Sequence, residues 1–207
     1  MTLTVLYADD HLVAVDRPAG LLSVPGLGPD KADCAVARVQ ALYPDALTVH
    51  RLDMSTSGVL VFGRGVTAQR ALSMAFEQRQ VDKRYEALVW GWPAQAEGEI
   101  KLPLIADWPN RPLQKVCLHQ GKPSITQWQR LAAVPGGARL ALTPLTGRTH
   151  QLRVHLQAIG HPILGDALYA TAWPGATASR LMLHAAMLEL PHPATGDWIT
   201  LKAPVPF

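Results

Sequence analysis

At 207 residues, with 48% hydrophobic and 17% charged positions, the chain suits one domain or one two-lobed domain. It contains no run of roughly eighteen apolar residues, and its first ten residues show no basic stretch leading into an apolar one, so neither a membrane span nor a signal peptide is read. Cys34 and Cys117 stand apart without a CxxC or a disulfide ladder, a pattern that suits a reducing cytoplasm, and the net charge of +3 hides a basic middle: residues 101–139 carry a balance of +5.

In chain order, Val5–Ala8 and Leu12–Val15 predict a β-hairpin about a polar turn. Arg17-Pro18-Ala19-Gly20 opens a loop punctuated by Pro and Gly that runs to Gly26. Ala35, Val36, Val39 and Leu42 fall at helical spacing, which predicts a helix over 31–43 ending at Pro44. Leu47-Thr48-Val49 and Val59-Leu60-Val61-Phe62 are strand-like and flank the polar junction His50-Arg51-Leu52-Asp53-Met54-Ser55-Thr56-Ser57-Gly58. In extended backbone, Arg51 and Asp53 share one side while His50 and Leu52 take the other, so Leu52 can enter the core and leave a guanidinium and a carboxylate facing out. From local composition alone, a strand end with a surface ion pair fits the same residues.

Thr67 is the expected N-cap of a helix reaching about Gln80, with Leu72, Ala75 and Phe76 inward. Lys83–Gly91 alternates as a strand, with Tyr85, Ala87 and Val89 on one face; a strand tyrosine is ordinarily a half-buried core residue with its hydroxyl outside. Residues 91–112, rich in Pro and Trp, read as an irregular loop. Ser124–Leu131 and Arg139–Thr143 are two strands about a Pro135-Gly136-Gly137 turn. Leu152, His155, Leu156 and Ile159 predict a helix from about Thr149 to Gly160, which puts Arg148 at its positive end, a poor place for a cation without an anion nearby. An arginine beside free helix N–H groups is suited to a carboxylate or phosphate. A turn over His161–Asp166 follows. An apolar strand from Arg180 and a closing strand over Trp198–Leu201 complete an α+β mix, a mainly antiparallel sheet with flanking helices.

The strings His50–Gly58, Gly147-Arg148-Thr149-His150-Gln151-Leu152-Arg153-Val154-His155 and Gly160-His161-Pro162-Ile163-Leu164-Gly165-Asp166 together resemble the RluA-type pseudouridine synthases over nearly the whole chain. Asp107-Trp108-Pro109-Asn110-Arg111-Pro112-Leu113-Gln114-Lys115-Val116-Cys117 resembles one subgroup, whose members act on both tRNA and large-subunit rRNA. The resemblance implies an isomerase that breaks the N1–C1′ bond of uridine, turns the base and rejoins it through C5. This chemistry needs no redox step, and neither a metal nor an organic cofactor is implied. A nucleophilic carboxylate is needed, and the resemblance assigns it to Asp53; attack at C1′, attack at C6 and assisted glycal formation all fit.

The resemblance further implies that Arg148 is the basic partner that keeps Asp53 ionised and that Tyr85 lies against the uracil. Arg51 would fill the space left by an extruded base, and Leu183 would line the pocket, although a plain core leucine fits Leu183 equally. In the family the segment at Arg17 usually begins with Lys-Pro; the arginine keeps the charge, and no functional consequence is expected of the change. The implied targets are tRNA position 32, in the anticodon loop, and position 746 in a 23S rRNA hairpin, with Arg111 and Lys115 expected on the RNA backbone. A single catalytic domain over 1–207 without the S4-type domain of larger members is expected, acting as a cytoplasmic monomer with no membrane or obligatory protein partner. Among rival chemistries, a metal hydrolase lacks an HExxH, and His150 and His155 are five apart. A two-carboxylate glycosidase would have to recruit Asp166 from a turn. A non-catalytic RNA-binding module would explain the basic middle but not a carboxylate-centred motif.

Overall fold

The structure, a computed structural model, describes residues 3–207. The chain forms two compact units: residues up to Lys83 together with His184–Pro206, and Arg84–Leu183 together with Phe207.

The first unit opens with the expected hairpin, β1 (Thr4–Ala8) and β2 (Leu12–Arg17), paired antiparallel. The helix expected over 31–43 is shorter: α1 covers only Ala35–Gln40, preceded by a 3-10 turn at Pro29–Lys31. β3 (Ala46–Thr48) and β4 (Ser57–Arg64) flank the His50–Thr56 segment, which lies outside the strands. β4 pairs with β2 and β3, and both β2 and β4 read as nearly continuous apolar runs because both of their faces are buried.

α2 (Gly65–Glu77) begins two residues before Thr67, so Thr67 is not its cap; Arg64 takes the N-cap position and no side chain bonds there. The helix can start this early because Gly65 adopts φ +73° at the strand-to-helix corner. Leu72 and Ala75 are buried against β4 as expected, whereas Phe76 is half-buried under the His50 ring, 4.4 Å away and stacked.

The second unit starts in β5 (Asp82–Trp90). Residues 91–112 are not an irregular loop throughout, for they contain β6 (Glu97–Lys101) and β7 (Leu104–Ala106). Their side chains give little apolar alternation; pairing with later strands, which local pattern does not encode, makes them strands. β7 forms a small hairpin with β8 (Gln114–Val116) around a 3-10 turn at Trp108–Asn110. β9 (Ile125–Val134) and β10 (Gly137–Pro144) form a long hairpin, giving the order β5-β10-β9-β6, all antiparallel. α3 covers Gln151–Ala158, two residues shorter at its start than expected, with His150 at φ +54° as its N-cap. Its Leu152 and Leu156 enter an apolar cluster with Ala87, Val89, Leu140, Leu142, Ile163 and Leu183.

The chain returns to the first unit through β11 (Leu183–Pro191), three residues later than the expected start at Arg180, and ends in β12 (Trp198–Lys202). β11 runs parallel to the start of β4, with His184 opposite Ser57 and Ala185 opposite Gly58. Here glycine is obligatory: Gly58 has φ +112°, and a Cβ would collide with the main chain of Ala185. Among the described residues no helix is long and apolar enough to cross a membrane.

Candidate active site

The carboxylate expected to do the chemistry stands on a short loop between β3 and β4, and the main chain of that loop is fixed from below. Ser23 Oγ donates to Leu52 O at 2.9 Å and accepts from Leu52 N–H at 3.1 Å. Gly20 N–H donates to Met54 O at 2.8 Å, and Thr56 N–H closes a turn on Asp53 O at 3.0 Å. Arg17 completes the cradle. Its guanidinium donates to Asp53 O at 2.7 Å, to Met54 O at 3.2 Å, and to the carbonyls of Leu21 and Thr56. Leu52 is buried, Asp53 half-buried and Arg51 exposed. Leu52 thus goes inward and its two neighbours do not, as the alternation requires, although the segment is a loop and not a strand.

Two histidines brace the same stretch. His50 Nε2 accepts from Val61 N–H at 3.0 Å, which requires an unprotonated nitrogen. Burial, then the nearby charges of Lys83 and Arg17, push its pKa down to about 3. At the other end of the loop, Ser57 Oγ lies 2.8 Å from His184 Nδ1, and His184 Nε2 lies 3.3 Å from Ala203 O. A carbonyl can only accept, so Nε2 carries the proton, and with the imidazole neutral Ser57 donates to Nδ1.

In the second unit, Tyr85 is half-buried on β5 beside Ala87 and Val89, opposite Leu142 of β10. Leu183 is 3% exposed and packs into the apolar cluster there. Arg148 lies three residues before α3, half-buried. Its main-chain N–H donates to Gln151 Oε1 at 3.0 Å, and its Nε reaches Pro123 O at 3.4 Å. Gln151 is the organiser of this turn. Its Oε1 also accepts from Thr146 Oγ1, and its Nε2 donates to Ile125 O and Thr126 Oγ1, both at 3.0 Å. Asp166, the one acid a glycosidase reading could recruit, is held by Arg153 through two bonds of 2.7 Å with both side chains buried. That pairing gives it a structural task.

The two residues expected on RNA phosphates both belong to the β7–β8 hairpin, Arg111 in its connecting loop and Lys115 on β8, and differ in state. Lys115 Nζ lies 2.9 Å from Asp107 Oδ1. Asn110 and Lys115 together hold the Asp107 carboxyl below its usual range. Arg111 instead stacks its guanidinium 3.4 Å from the centre of the Trp108 ring. Sequence reasoning missed Arg17, and the signal was available: a cation at the end of a central strand, two residues after the apolar run Leu12–Val15, points toward carbonyls inside the fold. It also passed over His50, Ser23 and Gln151, whose partners lie far off in sequence.

Comparison with known proteins identifies the family. A family model described as RNA pseudouridylate synthase matches residues 11–158. The dual-specificity RNA pseudouridine synthase RluA of Escherichia coli strain K12 is 52% identical over 206 residues, covering 99% of this chain and 94% of that protein. The protein of the same name from Yersinia pestis is 50% identical, covering 99% of this chain and all of its own. Among solved structures, human RNA pseudouridylate synthase domain containing 1 superposes with a TM-score of 0.83 at 28% identity, covering the whole chain and 84% of the human one. The chain belongs to the RNA pseudouridylate synthase family. Its class is that of an isomerase converting uridine to pseudouridine in RNA.

Proposed function

We propose that this isomerase serves two RNA classes: tRNA, at position 32 of the anticodon loop, and 23S rRNA, at position 746 of a hairpin loop. The observation that carries the reading is Asp53, half-buried on a loop whose main chain is pinned by Ser23, Gly20 and Arg17. The relatives' name, dual-specificity, supports two substrates.

In this reading Asp53 is the nucleophile. Arg148 keeps it ionised against the pKa rise that burial would cause. Tyr85 lies against the uracil, and Leu183 lines the pocket. A base within a stack is out of reach, so the uridine is extruded and Arg51 occupies the gap. Hairpin loops are suitable targets because their bases unstack at low cost. Arg111 and Lys115 lie beside the RNA backbone. The enzyme acts as a cytoplasmic monomer, where both substrates are made and used.

The test is pseudouridine mapping of cellular tRNA and rRNA with and without the gene, followed by Asp53→Asn on the isolated anticodon stem-loop. Loss of both marks without the gene is expected. The Asn variant should bind the stem-loop but release no tritium from C5-labelled uridine, since binding rests largely on phosphate contacts. Turnover by Asp53→Asn would remove the nucleophile assignment. Modification confined to another tRNA arm or to assembled subunits would remove the substrate assignment.

A further inference from the structure

Trp108 exposes 65% of its surface at the tip of the β7–β8 hairpin. One face of its ring is covered by the Arg111 guanidinium at 3.4 Å, a planar cation on a planar π system. A tryptophan left this open needs an occupant or a reason, and a single exposed aromatic on a floppy loop would supply neither.

This loop is held in place. Asp107 accepts from Asn110 Nδ2 and Lys115 Nζ, both at 2.9 Å. Main-chain bonds join Asn110 N–H to Asp107 O, Leu113 N–H to Asn110 O, and Asp107 N–H to Leu113 O. Lys115 therefore also braces Asp107, and the main chain that carries the indole is set before any ligand arrives. Holding the loop this way removes part of the ordering cost of binding.

The hairpin is also tied to the turn that carries Arg148. Gln114 N–H donates to the Tyr169 hydroxyl at 2.8 Å, and that hydroxyl lies 2.7 Å from Nδ1 of His150, the N-cap of α3. Leu113 and Val116 pack with Leu104, Val154 and Tyr169 beneath it. Arg148 and the Trp108 tip thus belong to one braced assembly within the second unit.

We propose that the Trp108–Arg111 stack is a binding site for an unpaired nucleobase of the RNA loop that carries the target uridine. The proposal rests on the RNA-loop function above and adds to it a specific grip outside the chemistry. A base has a π face whatever its identity, so stacking tolerates different sequences. Two unlike loops can then use one surface, which base-edge hydrogen bonding would not permit. The guanidinium also supplies charge toward the adjoining phosphate, in a stretch whose balance over 101–139 is +5.

The test measures Kd for an anticodon stem-loop RNA and for a series in which each loop nucleotide in turn is abasic. Wild type, Trp108→Ala, Trp108→Phe and Arg111→Ala are compared at several salt concentrations. Trp108→Ala is expected to weaken binding roughly 5- to 150-fold, the range for loss of one stacked base. Trp108→Phe should recover most of it. At one loop position the abasic RNA should cost wild type as much as Trp108→Ala does and cost the Ala variant nothing more. The salt dependence should be unchanged in Trp108→Ala and shallower in Arg111→Ala. Binding by Trp108→Ala within twofold of wild type, or penalties that add at every loop position, would overturn the proposal. Wild-type turnover on the same RNA reads the underlying function separately: the tryptophan effect without turnover supports the stacking site and removes only the substrate reading.

Discussion

Arg17 Nη2 donates to the main-chain oxygen of Asp53 at 2.7 Å, so a fully buried cation on β2 sets the backbone under the proposed nucleophile. The same guanidinium serves Met54 O and the carbonyls of Leu21 and Thr56. A planar fork with five N–H groups can meet several diverging carbonyls, whereas an ammonium is a single point with three donors. The arginine therefore orders the loop as a unit, and Asp53 takes its position from it.

Arg17→Met is expected to lower stability by on the order of 3 kcal/mol, because buried carbonyls left without donors cost about 1–3 kcal/mol each. Turnover measured where the variant is still fully folded should fall as well, since the Asp53 loop loses its support. Arg17→Lys keeps the charge and some of the bonds, so it should fall between the two in both denaturant unfolding and tritium release. A folded Met variant with normal turnover would show that Arg17 stabilises the fold without positioning the carboxylate.

His50 makes stability depend on pH. Its folded value, pushed down to about 3, lies below the ordinary value of about 6.5 for an unfolded chain. The unfolded chain therefore binds more protons through this interval, and stability rises with pH. The contribution is complete above about pH 6.5 and is lost as pH falls toward 3, by at most about 1.4 kcal/mol per pH unit. His50→Gln, whose amide oxygen can still accept from Val61 N–H, should flatten that part of the curve. Parallel stability–pH curves for wild type and His50→Gln between pH 6.5 and 4 would contradict the assignment.

Much of this was legible in the sequence because it is local. Alternation placed Leu52 inward and kept Arg51 and Asp53 out of the core; apolar spacing found α2 and α3; the Pro135-Gly136-Gly137 turn marked the β9–β10 hairpin; and motif strings carried the family. What was not legible depends on partners distant in the chain. β6 is a strand because β9 lies beside it, and the start of α3 is set by Gln151 reaching to Thr126 and Thr146. Arg17 looked interchangeable with lysine because the four carbonyls it serves lie up to 39 residues away. Arg111 and Lys115 looked alike as cations, yet one stacks on Trp108 and the other braces Asp107.

Arg51 and Arg148, the two arginines assigned roles in the proposed chemistry, have separable tasks. Arg148 sits on a turn fixed through Gln151, its backbone N–H bonded to Oε1 at 3.0 Å, and its assigned task is to keep the Asp53 carboxylate charged during reaction. Arg51 is exposed, and its assigned task is to stabilise the extruded uridine by filling the vacated stack. Extrusion costs a few kcal/mol in a stacked RNA and little in a relaxed one, while the charge requirement is the same in both. Arg51→Ala should therefore lose about 10-fold or more in kcat/KM on a folded stem-loop and recover on an unstructured oligonucleotide carrying the same uridine, a loss of about 1.4 kcal/mol. Arg148→Ala should stay slow on both, with kcat falling more than KM rises, because the interaction it supplies is strongest in the transition state. Single-turnover rates on the paired substrates measure this directly. Equal rescue of both variants by the relaxed RNA would assign the two arginines the same role.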